Sequence, residues 1–494
     1  MQGEETITSE RHLYQRIGFA LGPLLALLAL LSPAPEGLSA EGWKVVALAA
    51  WMAVWWSTEA IPVPATSLIP LVYLPLAGVS SLSQASSPYA NPVIFLLLGG
   101  FIIAMAMQRW HLHRRIALSI VTRAGDHPAA LIGGFMAASA FLSMWISNTA
   151  TTLMMVPIAL GVADAVAGED EPHPAFTVAL LLGVAYAASI GGIGTIVGTP
   201  PNLLLVGYLR ETMGIEISFI QWMAFGVPVV LLMVPAAWFV LTRWAFEIGA
   251  AGSGGCQGKG GQIVRDELAA LGRITVPERR TALLFVTVAA AWIFRPLIVQ
   301  IPGLSGLSDM GIAVAGAVAV FVIPSGSSED KGSFLLDWDW AVRLPWGVIL
   351  LFGGGLSLAA AVAQTGLAVW LGDALSVLTT FHLFVLMLAL VTMVIFLTEL
   401  TSNTATVAAL LPVLGAVALS GSYNPILLAV PAALAASCAF MLPVATAPNA
   451  IIFSGGHVTI PHMVKAGFRL NLLGIVIVTG VSYALVPVVF QIFR

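Results

Sequence analysis

Charged residues are scarce in this sequence. Asp, Glu, Lys and Arg make up only 9% of the 494 residues, whereas hydrophobic residues make up 59%. A soluble chain carries about a quarter charged residues, so the composition excludes an ordinary soluble protein and predicts a polytopic membrane protein. The net charge of −4 says nothing about nucleic acid, but the basic residues sit in short loops and do not form one face, so we expect no nucleic acid partner.

Cysteine is almost absent as well. Cys256 and Cys438 are too few and too far apart for a disulfide framework or a metal cluster. The glycine-rich residues 249–261 lack the first glycine and the final Ser or Thr of a phosphate loop. No nucleophile–base pair stands out in the apolar segments. We therefore expect neither an ATP-driven pump nor an enzyme, and no organic cofactor.

Long apolar runs, by contrast, recur throughout the chain, for example at residues 17–31, 93–107, 283–299 and 470–488. A span needs about 20 apolar residues, and the runs predict about eleven crossings, with two further motif-bearing segments left over. The first run follows Arg11 and Arg16 as in a signal peptide. The sequence SPAP at 32–35 is a poor cleavage site, however, and we expect a retained helix.

The chain contains two copies of one pattern. The pentapeptide SNTAT occurs at residues 147–151 and again 255 positions later, at 402–406. Two more landmarks follow the same order in both copies: a Gly-Gly pair at 99–100 and 353–354, and a proline–asparagine segment at 198–202 and 445–449. Three matched landmarks in one order predict an internal duplication.

The distribution of positive charge predicts how the copies are inserted. Lys and Arg cluster near the N-terminus, at 109–123 and at 243–280, which places these parts in the cytoplasm. The second-copy counterpart of 109–123, residues 364–378, has no Lys or Arg and carries Asp373. This opposite bias predicts two inverted repeats. Because Lys465 and Arg469 open the last span, we expect a cytoplasmic N-terminus and an external C-terminus.

These expectations divide the chain into four parts. They are an N-terminal cytoplasmic segment with the first helix (1–42), the first inverted repeat (43–246), a cytoplasmic glycine-rich linker (247–278) and the second inverted repeat (279–494). Each repeat carries its SNT motif, at 147–149 or 402–404, inside an apolar segment. Residues 128–167 leave about 18 residues on each side of the motif, which is marginal for a crossing.

The SNT motifs predict the tips of two re-entrant helical hairpins. Ser, Asn and Thr favour helix N-caps, and an interrupted helix is tolerated at membrane depth only where it is buried or lines a wet cavity. At such a tip a helix N-terminus attracts an anion, and freed carbonyl groups ligate a cation. Each tip is therefore a candidate binding site for both.

The proline–asparagine segments predict a second interruption in each repeat. Their prolines lack N–H donors, so we expect unwound stretches that face the hairpins. Residues 124–209 and 344–464 contain no Lys or Arg. An anion bound there would lack a side-chain cation, which is costly at low dielectric. We infer that sodium ions bind together with the substrate.

Two acidic residues lie in these apolar regions. Glu399 precedes the second SNT motif by three residues, and Glu59 lies within WWSTEAIP at 55–62. Each is either a proton carrier or a carboxylate that caps or bridges broken helices. The sequence leaves both roles open.

Together these landmarks resemble the divalent anion/sodium symporter family, which transports dicarboxylates, citrate or sulfate. The resemblance rests on WWSTEAIP, on NPVIF at 91–95 running into Gly99 and Gly100, on both SNT motifs and on both proline–asparagine segments, and it covers nearly the whole chain. It implies an all-α polytopic fold of about 11 transmembrane helices plus two re-entrant hairpins. It also implies a homodimer whose transport domains move against fixed scaffold domains as an elevator.

The resemblance also implies two sodium sites and a substrate site between them. The first sodium site would use Ser143, Ser147, Asn148 and the backbone of Gly198. The second would use Thr398, Thr401, Asn403 and the backbone of Ala445. The substrate carboxylates would contact Asn148, Thr149, Asn403 and Thr404, with Thr199, Pro200 and Thr446 around them.

The implied activity is sodium-coupled symport of C4-dicarboxylates such as succinate, malate or fumarate across the inner (cytoplasmic) membrane. Ala447 departs from the pattern, because dicarboxylate members are expected to carry a proline there. Sodium-coupled sulfate or citrate transport and sodium-independent exchange therefore stay open. An anion channel would also use helix dipoles, but paired sites in inverted repeats favour alternating access.

Overall fold

The computed structural model describes residues 13–167, 174–246, 248, 259–328 and 330–492. Within them the chain is helical, and the only β-bridge joins Pro324 to Phe334. Most of the glycine-rich stretch 249–261, including Cys256, lies outside the described residues, as do Arg11 and the rest of the N-terminal segment up to residue 12.

The described first half of the chain contains two long apolar helices, then three short connecting helices, and then seven longer ones. They are α1 (Leu13–Leu31), α2 (Ala40–Thr58), α3 (Val63–Thr66), α4 (Ile69–Leu76), α5 (Leu82–Ser86), α6 (Pro92–Arg109), α7 (Leu112–Ala124), α8 (Pro128–Ser143), α9 (Asn148–Ala167), α10 (Pro174–Gly191), α11 (Pro200–Met213) and α12 (Phe219–Phe239). A 3₁₀ turn, Gly192–Gly194, follows α10.

The second half repeats this order after a connecting helix. Its helices are α13 (Lys259–Ala270), α14 (Val276–Ile298), α15 (Asp309–Val322), α16 (Trp338–Ala341), α17 (Trp346–Gln364), α18 (Leu367–Ala374), α19 (Leu383–Thr398), α20 (Asn403–Ser420), α21 (Ile426–Ala436), α22 (Ala447–Ser454) and α23 (Ile460–Val489). A 3₁₀ turn, Pro443–Ala445, precedes α22 as its counterpart precedes α11.

Helices long enough to span a membrane are numerous. Among the described residues, nine combine sufficient length with sufficient hydropathy, and five more apolar helices are shorter. The shorter group includes α8 and α19, the first arms of the two SNT hairpins. At 1.5 Å per residue, the 16 residues of each arm extend about 24 Å, less than a hydrocarbon core of roughly 30 Å. The number of about eleven full crossings stays a prediction.

The Gly-Gly landmarks mark close contacts between the two halves. A methyl group added at Gly99 in α6 would lie 2.6 Å from the backbone of Ala313 in α15, and one at Gly354 in α17 would lie 2.3 Å from the carbonyl oxygen of Ser67. Each half thus presents a side-chain-free helix surface to the other. The two repeats form one packed body in this region.

The second interruption of each repeat lies before the prolines and not at them. Helix α10 ends at Gly191, and Pro200 and Pro201 occupy the first turn of α11. In the second repeat α21 ends at Ala436, and Pro448 lies in the first turn of α22. The expectation that the prolines break a helix was therefore wrong in position. A proline is tolerated in the first helical turn, where its missing N–H has no partner to lose.

The connection between the halves includes an ordered helix. α13 packs against α7 and α9, and Glu267 on it pairs with Arg114. Arg115 donates to Glu278 at the start of α14 (2.9 Å) and to the carbonyl of Gly272 (3.0 Å). Residues 259–278 of the expected linker are thus packed and hydrogen-bonded against the first repeat.

Candidate functional site

The first SNT motif turns the chain between two helices. Residues 144–147 connect α8 to α9, and Asn148 is the first residue of α9. Ser147 Oγ accepts a hydrogen bond from the backbone N–H of Ala150 (3.2 Å), which is the role of an N-cap. Ser143 donates to Asn148 Oδ1 (2.5 Å). The helical interruption expected at the motif is present, and the Asn148 amide oxygen is held by a hydroxyl.

The second SNT motif has the same shape with different internal bonds. Residues 399–402 connect α19 to α20, which begins at Asn403. Thr398 donates to the Ile395 carbonyl (3.1 Å), and the hydroxyls of Thr401 and Thr406 pair at 2.7 Å. Asn403 Oδ1 is buried without a hydrogen-bond partner among the described residues. A buried amide oxygen without a donor is costly, and it can serve as a ligand for a cation.

Asparagine side chains hold both unwound segments open. Asn202 Nδ2 donates to the carbonyl oxygens of Gly192 (3.1 Å) and Thr195 (2.8 Å). Asn449 Nδ2 donates to the equivalent carbonyls, those of Ala439 (3.2 Å) and Leu442 (3.0 Å). These bonds replace the helical hydrogen bonds that the two segments lack. The asparagines of the proline–asparagine motifs are therefore scaffolding for the unwound backbone.

Two oxygen atoms converge beside Gly192 in the first unwound segment. A methyl group added at Gly192 would lie 2.9 Å from Asn148 Oδ1 and 3.0 Å from the carbonyl oxygen of Gly198. Both oxygens belong to residues implied for the first sodium site. The space beside Gly192 is bounded by an amide and a carbonyl oxygen, the ligand type that hard cations prefer.

The hairpin tips are tied to the unwound segments in two different ways. In the first repeat, the Thr195 hydroxyl donates to the carbonyl of Met144 (2.5 Å). In the second, the carboxylate of Glu399 accepts from the backbone N–H groups of Phe440 (2.8 Å) and Leu442 (3.1 Å). The role left open for Glu399 by the sequence is therefore, in the structure, that of a bridge between broken helices.

A single cavity of about 1150 Å³ brings both tips and both unwound segments together. Eleven of the residues implied for the site line it. They are Ser147, Asn148, Thr149, Gly198, Thr199, Pro200, Thr401, Asn403, Thr404, Ala445 and Thr446. The other two, Ser143 and Thr398, are fully buried behind the tips. Residues more than 250 positions apart in the sequence thus share one site.

Four helices begin at this cavity. The first residues of α9, α11, α20 and α22 are Asn148, Pro200, Asn403 and Ala447, and all four line it. A helix N-terminus carries partial positive charge, so the cavity wall favours an anion without a basic side chain at each tip. α11 and α22 offer fewer N–H donors than α9 and α20, because prolines occupy their first turns.

The sequence reasoning missed part of the cavity wall. Arg343, an exposed residue between α16 and α17, lines the cavity, and its guanidinium lies 4.6 Å from the ring centroid of Trp340. Glu59, whose role the sequence left open, also lines the cavity, at the end of α2 in a left-handed backbone conformation (φ 47°). In the sequence, Arg343 directly precedes a long stretch without basic residues. No pattern in the sequence indicates that the chain folds Arg343 back towards the motifs.

The fold and the cavity define a polytopic membrane transporter built from two related halves. The chain belongs to the family described as the sodium:sulfate symporter transmembrane region, whose model matches residues 19–491. It is 42% identical over 485 residues to a sodium-dependent dicarboxylate transporter, SdcS, of Staphylococcus saprophyticus, covering 97% of this chain and 92% of that protein. SdcS of Staphylococcus aureus strain RF122 is also 42% identical over 485 residues, with the same shares covered.

Solved structures of other transporters share the fold at low identity. The YdaH transporter of Alcanivorax borkumensis aligns with a TM-score of 0.59 and 14% identity, covering 95% of this chain and 96% of that one. MtrF of Neisseria gonorrhoeae, described as illuminating a class of antimetabolite efflux pumps, aligns with a TM-score of 0.57 and 13% identity, covering 95% and 93%. These likenesses concern the arrangement of helices alone.

Proposed function

We propose that this protein is a secondary active transporter, and not an enzyme, that couples the uptake of C4-dicarboxylates to sodium ions. The observation that carries the proposal is the convergence of four helix N-termini and two SNT tips on one cavity. The helix dipoles suit an anionic cargo, and the paired tips suit its two charged ends. The dicarboxylate transporters named SdcS, at 42% identity, support the same substrate class.

The sodium coupling rests on the oxygen atoms at the two tips. In the first repeat, Asn148 Oδ1 and the Gly198 carbonyl converge beside Gly192; in the second, Asn403 Oδ1 is buried without a partner among the described residues. Cations at these places would offset the charge of a bound dianion at low dielectric. We assign Ser143 and Ser147 to the first site, and Thr398, Thr401 and the Ala445 backbone to the second.

The dicarboxylate would lie between the tips, with one carboxylate against Asn148 and Thr149 and the other against Asn403 and Thr404. Thr199, Pro200 and Thr446 would complete its surroundings, since all three line the cavity between the motifs. Arg343 would add a favourable field at the wall. The N–H groups at the starts of α9 and α20 would bind the carboxylate oxygens.

We further propose that the hairpins are re-entrant and that both sites move as one body, in an elevator mechanism within a homodimer. Tyr186 in α10 of the first repeat donates to the carbonyl of Phe440 in the second unwound segment (2.7 Å), which joins the first repeat directly to that segment. The variant Thr404→Cys, made in a background without Cys256 and Cys438, would test this movement. We expect the introduced cysteine to be labelled from either face of the membrane, with sodium changing the two labelling rates in opposite directions. Labelling from one face only would contradict the proposal.

The decisive experiment is labelled-succinate uptake into proteoliposomes, with and without an inward sodium gradient, in competition with malate, citrate and sulfate. We expect uptake that requires sodium and that malate inhibits. Uptake that is indifferent to sodium and requires internal dicarboxylate would show an exchanger instead. Sodium-dependent uptake of sulfate or citrate, without succinate uptake, would show the different substrate class that the departure at Ala447 leaves open. Conduction without saturation would show a channel.

A further inference from the structure

The carboxylate of Glu399 is enclosed by donors from two other elements. Glu399 is 3% exposed. Its Oε1 accepts from the N–H groups of Phe440 (2.8 Å) and Met441 (3.0 Å) and from Asn471 Nδ2 (2.7 Å). Its Oε2 accepts from the N–H groups of Met441 (3.0 Å) and Leu442 (3.1 Å). One side chain therefore joins the second hairpin tip, the second unwound segment and α23.

These contacts suit an ionised carboxylate and no other side chain. All four groups around it are donors, and an ionised carboxylate is an acceptor only. Hydrogen bonds to a charged acceptor are shorter and stronger than neutral ones. A glutamine would place its NH₂ group against N–H donors.

The segment that Glu399 holds leads directly into the candidate second sodium site. Leu442 is followed by the 3₁₀ turn Pro443–Ala445, and Ala445 and Thr446 line the cavity with Asn403. Asn403 itself stands four residues after Glu399, at the start of α20. Both sides of the site, the amide at the tip and the carbonyl at Ala445, are thus fixed relative to one carboxylate.

We propose that Glu399 is a positioning residue that sets the geometry of the second sodium site, so that sodium affinity depends on its charge and length. The inference rests on the proposed sodium-coupled transport. In the first repeat the corresponding residue is Met144, and the link runs instead from Thr195 to the Met144 carbonyl. Glu399 therefore acts on one of two sodium sites, and its loss should change the cooperativity with which sodium ions bind.

The test is the sodium dependence of succinate uptake in Glu399→Gln, Glu399→Asp and Asn471→Leu. Losing bonds to a charged acceptor should raise the half-saturating sodium concentration about tenfold in Glu399→Gln and lower the Hill coefficient. Glu399→Asp keeps the charge and should recover part of the affinity. Asn471→Leu removes one of four donors and should cause a shift of about threefold. At saturating sodium, the KM for succinate should change by less than about twofold.

A sodium titration of the unfolding temperature in detergent separates positioning from a general structural role. Sodium stabilises the state that binds it, so a weakened site requires more sodium for the same increase. The matched control is Thr479→Val, a buried change on α23 whose hydroxyl has no partner among the described residues. It should leave the titration unchanged.

A lower unfolding temperature in Glu399→Gln and Asn471→Leu, with the wild-type sodium midpoint, would overturn the positioning role. A wild-type protein that binds sodium in this titration but takes up no dicarboxylate would instead overturn the proposed function. In that case the midpoints of the variants still decide whether Glu399 positions the sodium site.

Discussion

The two repeats share the backbone arrangement of their unwound segments but differ in the hydrogen bonds that join each segment to its hairpin tip. Asn202 and Asn449 donate to equivalent carbonyls in the two unwound segments, with distances that agree within 0.2 Å. The tips differ: a threonine hydroxyl ties the first tip to its unwound segment, and the Glu399 carboxylate ties the second. The duplication has preserved the backbone that forms the cavity, while the bonds behind it have diverged.

The difference reaches the candidate sodium sites. In the first repeat, Asn148 Oδ1 already accepts from Ser143, and Gly192 leaves the space beside it open. In the second, Asn403 Oδ1 has no partner among the described residues, and the position equivalent to Gly192 is Ala439. The two sites are therefore chemically distinct, and equivalent substitutions should not have equivalent effects.

The largest effect is expected from Asn148→Ala and Asn403→Ala. Each removes a side chain from the cavity at a helix N-terminus, and loss of both cargo and cation contacts should lower succinate uptake more than about 100-fold. Stability should separate the two variants. Asn148→Ala deprives Ser143 of its acceptor and should lower the unfolding temperature, whereas Asn403→Ala removes an unpaired buried oxygen and should not.

Uptake and unfolding temperature should be measured on the same purified protein. Asn424→Ala is the matched control, because Asn424 bonds to the backbone N–H of Ile426 at the start of α21 and does not line the cavity. Near-normal uptake in both cavity variants would contradict the site assignment. Equal changes in stability would contradict the asymmetry between the repeats.

A smaller but more local effect is expected from Gly192→Ala. The added methyl group would meet Asn148 Oδ1 and the Gly198 carbonyl at about 3 Å, where a cation would otherwise lie. The half-saturating sodium concentration should rise about tenfold or more. Gly161→Ala in α9 is the control, because its methyl group would meet nothing within 4 Å. Equal sodium dependence in the two variants would exclude the space beside Gly192 as a sodium site.

The sequence was sufficient to predict the repeated motifs that form the site but not the hydrogen bonds that hold them in place. The SNT motifs and the proline–asparagine segments recur in register, so pairs such as Asn148 and Asn403 could be placed in one site. The bond from Thr195 to Met144 could not be predicted, because neither residue belongs to a repeated motif. Asn471 lies 72 positions from the carboxylate to which it donates, and Arg343 reaches the cavity through a loop. Such contacts depend on packing, which no local pattern encodes.

Thr195→Val should have a moderate effect on the first repeat alone. It removes the hydroxyl that ties the Met144 carbonyl to the unwound segment, and a lost hydrogen bond of about 1 kcal/mol corresponds to a roughly fivefold change in sodium affinity. Thr392→Val is the control, because the Thr392 hydroxyl donates only within its own helix, to Leu388. A sodium midpoint identical in both variants would show that the tip and the segment do not need this bond.

The smallest expected effect is a change in stability that has opposite signs in the two repeats. Thr151 and Thr406 are equivalent residues, but Thr406 shares a hydrogen bond with Thr401, whereas the Thr151 hydroxyl is buried without a partner among the described residues. The position equivalent to Thr401 is Ile146, which cannot supply one. Thr406→Val should therefore destabilise the protein by about 1 kcal/mol, and Thr151→Val should raise its unfolding temperature, since it removes an unsatisfied group of similar volume. Parallel unfolding curves in detergent test this, and a shift of the same sign in both variants would show that the two tips are fastened alike.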